Sequence, residues 1–369
     1  MILRYYPSKD STIYESSPTV NTGLDSILEI AKQAATSSQG GEATASFNSR
    51  ILIDFDYNAV SASIVSLGYD PNAFTYGLKL YTTEADAIPL NYEITTNALS
   101  GSWYMGLGRV ANKPITTEGV SWYYRQGKTT PTVLWLSGSY SPNVTGSYQV
   151  NPGGGNWYTS SAASQSFDYT TADLDIDVTS IMHEVQSGSI DFNGFIIKKS
   201  DADERSLTSI RSLKFYSKDT GTIYAPVLEA RYDDHIYTGS LTEIDLEEEV
   251  NISSTNLKRS YKEGARPKIN FNANYRYPVQ SFATSSGLLD AYNLPTGSQY
   301  AIGFADSDDI LMEFSEYTTL SHNDKGNYLK LDLESFQPER HYRILLKVPQ
   351  SDGVSYNIYD NAWVFKVER

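Results

Sequence analysis

The chain has 369 residues, more than one hydrophobic core usually supports, so two domains are the starting expectation. Hydrophobic residues at 40% and charged residues at 20% exclude wholesale disorder, and a formal charge of −15 without a Lys/Arg-rich stripe argues against direct nucleic-acid binding. With no cysteine there is no disulfide framework, thiolate metal site or cysteine nucleophile, and redox compartment cannot be inferred.

The 29 Tyr, 13 Phe and 5 Trp favour pleated, half-buried surfaces and hence strands; aromatics of this kind also serve interfaces. At the start, Met1-Ile-Leu-Arg-Tyr-Tyr-Pro7 is not a charged leader followed by an apolar stretch, so no secretory signal is expected. No apolar run approaches the roughly 18 residues that span a bilayer, and no membrane association is expected.

Strand-like segments bounded by turn residues follow one another at 27–31, 50–55, 76–81, 194–198, 213–217 and 227–232. Many short strands with polar turns imply a sandwich or barrel. Ile51-Leu-Ile53 and Phe195-Ile-Ile197 are continuously apolar, as central strands are. One helix is predicted near 178–186: Asp177 or Thr179 caps it, Ile181 and Val185 share a face, and Gly188 supplies the left-handed stop.

Between residues 101 and 171 the texture changes to Gly, Ser, Thr and Pro, with Trp103, Trp122, Trp135 and Trp157 spaced through it. That is too long for a plain loop, so an inserted β-subdomain or elaborated hairpins with tryptophan anchors are expected. A boundary after Tyr232, marked by Asp233-Asp-His235 and the acidic 243–249 stretch, divides the chain into 1–232 and 233–369. The second part has candidate strands at 268–273, 298–305, 328–333, 342–348 and 362–367, with turns at 306–309 and 323–326. These spacings suit an immunoglobulin-like sandwich without the Cys…Trp…Cys pattern. No fixed-period repeat is visible, and the low-complexity tracts 34–45 and 151–156 read as mobile loops.

Chemistry is sought through spacing. His183, His235, His322 and His341 are far apart and form no ligand pair, so each reads as a locally hydrogen-bonded side chain. Gly153-Gly-Gly155 lacks the Lys-Ser/Thr of a phosphate loop and reads as a flexible turn. Asp173, Asp175 and Asp177 alternate, so a strand would turn them to one face as a weak calcium candidate, although Asp177 is equally a helix cap. Asp306, Asp308 and Asp309 read as a solvated turn, and paired carboxylates for glycoside hydrolysis have no support beyond abundance. Trp103, Trp122, Trp135 and Trp157 either anchor the insertion's core or stack on sugar rings or a partner as ligand-binding residues. The sequons at Asn143 and Asn251 carry no weight without a secretory route. No catalytic residues and no cofactor are assigned, and the expectation is a non-enzyme.

The order Lys9-Asp-Ser-Thr-Ile13, Asn21-Thr-Gly23, Leu28-Glu-Ile30, Arg50-Ile-Leu-Ile-Asp-Phe55, Leu78-Lys-Leu80, Asp177-Val-Thr179, Asn193-Gly-Phe-Ile-Ile197, Phe215-Tyr-Ser217 and Ala225-Pro-Val-Leu228 resembles the DNRLRE family. That family is a β-sandwich module of bacterial surface proteins and of structural proteins of some tailed phages. The likeness covers most of 1–232 and is interrupted by the Trp-rich insertion. The run from Trp103 with Gly106 and Gly108, through Gly119-Val-Ser-Trp122, to Gly155-Asn-Trp-Tyr158 resembles the variant in virion proteins of large tailed phages, as does Pro338-Glu-Arg-His-Tyr-Arg-Ile-Leu345.

The resemblance implies an all-β chain: a jelly-roll, DNRLRE-like β-sandwich with a Trp-rich insertion, then a smaller immunoglobulin-like β-sandwich. It further implies a virion protein, which without a secretory signal is made in the host cytoplasm. The resembling residues do not name the part of the virion; the neck or tail is expected first and the baseplate or capsid surface second. Its expected partners are other virion structural proteins, several copies joining in a symmetric assembly. The alternative is a carbohydrate-binding adhesin that holds a host glycan through the insertion.

Overall fold

The computed structural model describes residues 1–35, 45–83, 92–106, 118–127, 132–135, 153–167, 173–205, 210–246, 249–277 and 291–369. Gly108, Asn143 and most of the 34–45 tract lie outside the described residues. The chain is all-β and divides into two compact units, one Arg4–Ala230 and the other Arg231–Arg369 together with Met1–Leu3.

Through Arg231 the strands are β1 (Ile2–Tyr5), β2 (Lys9–Tyr14), β3 (Ile27–Ala35), β4 (Ala45–Asp54), β5 (Thr75–Leu80), β6 (Tyr92–Ala98), β7 (Tyr124–Gln126), β8 (Val133–Leu134), β9 (Ala163–Phe167), β10 (Leu174–Asp177), β11 (Phe195–Lys199), β12 (Ile210–Tyr216) and β13 (Val227–Arg231). Among the described residues, one sheet runs β1-β13-β5-β10 and the other β12-β3-β4-β11-β6-β9, with β2 also paired to β4. Leu52 is paired with Ile196 across β4 and β11, and with Ser11 of β2. Ile51 and Ile53 point to the opposite face by the two-residue period of a strand. All four apolar residues are fully buried. The continuous apolar run thus has a physical reason: both faces of this sheet are covered.

The predicted helix is α2 (Thr179–Gln186), with Ile181, Met182 and Val185 buried. Asp177 accepts the Thr179 amide at 2.9 Å, and Gly188 has φ +72°. Two further helices went unpredicted, α1 (Tyr57–Ser66) and α3 (Asp201–Arg205). In α1 Asp56 caps the Ala59 amide, but only Val60 and Ile64 are buried, too thin a stripe to show as periodicity. The expected insertion also needs correction at its end: β9 pairs with β6 and extends the large sheet, so residues 163–167 belong to the sandwich. Within the insertion the described regular structure is the small β7–β8 hairpin.

The second unit is the smaller, immunoglobulin-like sandwich. Its strands are β14 (Val250–Ser254), β15 (Ser260–Lys262), β16 (Lys268–Tyr275), β17 (Gln299–Phe304), β18 (Ile310–Met312), β19 (Ser321–Asn323), β20 (Gly326–Lys330), β21 (Arg340–Pro349) and β22 (Tyr356–Glu368). They form sheets ordered β14-β16-β20-β19 and β15-β22-β21-β17-β18. Where antibody domains carry a disulfide, this core is aromatic: Phe271 of β16 meets Trp363 of β22 edge-on at 5.1 Å, and Tyr342 contacts Phe336 and Phe365. The strand predicted over 328–333 stops at Lys330, and Leu333–Ser335 turns as a 3₁₀ helix capped by Asp332.

Candidate functional site

The four insertion tryptophans converge. Trp103, Trp122, Trp135 and Trp157 are 4%, 0%, 1% and 7% exposed and pack with Leu99 and Val120 against Ile13, Leu52 and Ile196 of the large sheet. Their polar edges are used as well: Trp103 Nε1 donates to the Asn193 carbonyl at 3.1 Å and Trp135 Nε1 to the Ser121 carbonyl at 2.9 Å. A sugar-stacking site needs open indole faces, so this burial corrects the ligand-binding assignment of the four in favour of core packing.

At the centre of the cluster stands Arg50, with no exposed side-chain surface. Its position on β4 turns it to the same face as Leu52. Nε and Nη2 donate to the two Glu204 carboxylate oxygens at 2.8 Å each, and Nη1 donates to the Gly154 carbonyl at 2.6 Å. The guanidinium lies 4.8 Å from the Trp122 ring centroid and 5.2 Å from that of Trp157. Bidentate pairing and two aromatic faces answer the large desolvation cost of a buried cation.

The glycine run is part of this structure rather than a loose turn. Gly154 has φ +84°, and its amide donates to the Trp122 carbonyl at 2.8 Å. A Cβ there would lie 2.4 Å from Arg50 Nη1 and 2.7 Å from the Trp122 ring. Gly154→Ala is therefore expected to destabilise the unit by about 1–3 kcal/mol, through strain and displacement of the guanidinium. Urea unfolding followed by tryptophan fluorescence measures this.

Around the pair lies a shell of buried charge that the sequence did not reveal. Lys32, Lys199 and Glu15 are 1%, 1% and 0% exposed, and Lys32 Nζ donates to the Asp203 carbonyl. Burial, and then the neighbouring Lys32 charge, pushes the Lys199 amine down to about 7. Burial likewise pushes Lys32 down to about 8. A legible signal did exist: Lys198-Lys199 continue the apolar Phe195-Ile-Ile197 strand, with Asp201-Ala-Asp-Glu204 directly behind.

Asp10, on β2, is 1% exposed, and its Oδ2 accepts the Lys218 amide at 2.6 Å. Burial pushes its carboxyl up from 3.8 to about 7. A raised carboxyl pKa means that the folded state holds a proton the unfolded chain has released. Stability from this group is therefore complete below pH 3.8 and is lost as pH rises to about 7. Asp10→Asn is expected to flatten this fall in stability between pH 4 and 7, as read by denaturant melts across that range.

The calcium candidate is not assembled. Asp173 Oδ1 accepts the Thr82 amide at 2.7 Å, Asp175 lies 3.6 Å from Lys79 Nζ, and Asp177 Oδ1 accepts the Thr179 amide from one position before the N-cap of α2, which is Val178 and not Asp177 or Thr179 as expected. Among the described residues no group of three or more His, Asp or Glu side chains is placed to hold a metal ion. Of the histidines, His183 Nε2 lies 3.1 Å from the Phe74 carbonyl and His322 packs 4.6 Å from the Tyr237 ring. No described helix is long and apolar enough to cross a membrane.

No protein-family model matches the chain, and no curated protein matches it. Among solved structures, a DUF4785 family protein from Legionella pneumophila subsp. pneumophila aligns over 100% of this chain at 10% identity with a TM-score of 0.19, and the chain spans 62% of that protein's length. At so low a score the likeness bears on neither fold nor function.

Proposed function

We propose that the chain is a structural component of a tailed-phage virion, in the neck or tail, acting through assembly contacts with neighbouring virion proteins. The observation that carries this reading is where the chain leaves apolar surface. The described aromatic and charged clusters of the larger unit are spent inside its sandwich. Exposed apolar residues such as Val65 and Tyr277 are isolated in sequence, whereas at the β21–β22 turn and the start of β22 Val354, Tyr356 and Ile358 alternate at 85%, 52% and 55% exposure. A lone protein blunts such a strand, whereas a subunit covers it with a neighbour. The DNRLRE-like motifs support the virion setting, and the net charge of −15 discourages non-specific association of subunits, so that contacts form only where charge is locally complementary.

The test is quantitative mass spectrometry of purified particles from the native source. The chain should be present at a fixed ratio to the other structural proteins through a high-salt wash. Recovery only in the bacterial envelope fraction would overturn the proposal and favour an adhesin.

A further inference from the structure

We infer that the free edge of β22 pairs antiparallel with the same edge of a second copy of this chain, about a two-fold axis at Ile358. This deepens the assembly reading by naming a partner, and rests on that reading for its setting.

On one side β22 pairs with β21; on the other it meets β15 only at Lys366, Val367 and Glu368. Among the described residues no strand is paired to the outer side of β22 from Tyr356 to Asp360. Backbone N–H and C=O groups there are open to another strand. By the strand period Tyr356 and Ile358 share a face, and the contact of Asp360 with Arg343, which alternates with Lys347 on β21, puts Asp360 on that face too. Lys347 sits opposite Ile358 in the register, and its Nζ lies 4.2 Å from the Tyr356 ring centroid.

Charge selects the occupant. Two copies that each carry −15 repel unless their contact is locally complementary. A two-fold at Ile358 sets Ile358 against Ile358 and Tyr356 of each copy against Asp360 of the other. Lys347, already over Tyr356, then stands beside the second copy's Asp360. The same opposite-charge contact forms at both ends, and no like charges face each other. Asp360 is 41% exposed, and its existing partner Arg343 is 3.4 Å away, an exposed pair of little strength. Past Tyr359 the edge is blunted: the register with β21 shifts, Asp360 opens the bulge with its Oδ1 accepting the Ala362 amide at 3.3 Å, and Ala362 adopts φ +57°. The contact is therefore short, and the dimer exchanges with monomer.

Sedimentation velocity of the full chain over a concentration series tests this. The weight-average mass should climb from 41.1 kDa towards twice that value. Lys347→Glu and Asp360→Lys should each weaken association about tenfold or more, and the two together in one chain should restore it. These positions lie at the surface, and circular dichroism checks that each variant folds. A mass of one chain at every concentration would overturn the inference, as would single variants that associate like the parent, or a double variant that fails to recover. A monomeric chain that still co-purifies with particles would remove this pairing and leave the assembly proposal standing. A dimer absent from particles would do the reverse.

Discussion

Arg50→Ala is expected to lower the stability of Arg4–Ala230 by about 3–5 kcal/mol, because it strands the Glu204 carboxylate in the interior and empties the space between two indoles. At about 2–4 °C per kcal/mol for a domain of this size, the melting temperature should fall by roughly 6–20 °C. Tryptophan fluorescence suits the measurement, since four of the 5 Trp lie in this unit. Replacing Arg50 and Glu204 together with methionine should cost far less, since no charge is left unpaired. If Arg50→Ala melted like the parent, the salt bridge could not be the tie between β4, α3 and the glycine turn.

Trp122→Ala carries a comparable expectation, about 3–5 kcal/mol, since this fully buried ring is the floor of the insertion's core. It stacks on Arg50, and its carbonyl accepts the Gly154 amide. Once either partner is gone the other has less to lose. The Trp122→Ala/Arg50→Ala double variant should therefore be destabilised by less than the two separate losses combined, with a coupling of about 0.5–3 kcal/mol. Strict additivity in a urea double-mutant cycle would mean that ring and guanidinium do not support each other.

The fold class was legible because period and turn chemistry are local. Ile51-Leu-Ile53, Phe195-Ile-Ile197 and the capped α2 carry their own patterns, and the structure places strands and helix where those patterns lie. What stayed hidden was set by distant partners. Nothing beside Arg50 in sequence names its partner, Glu204, 154 positions away, and Gly153-Gly-Gly155 reads as a flexible turn until Arg50 and Trp122 fill the space beside it. Lys199 carried a partial signal as the continuation of an apolar strand, whereas nothing beside Asp10 in sequence announces its burial, which comes from the covering of both sheet faces. The exposed start of β22 was missed: the last strand is expected over 362–367, whereas β22 begins at Tyr356, and the openness of its edge is a property of strand order. For the four tryptophans the sequence offered two readings, and packing decides between them.

The virion role is tested most directly by immunogold electron microscopy of native particles, with an antibody raised against residues 291–369. Gold at one fixed position, the neck or tail, is the expected result. Gold on bacterial envelopes with unlabelled particles would contradict the account.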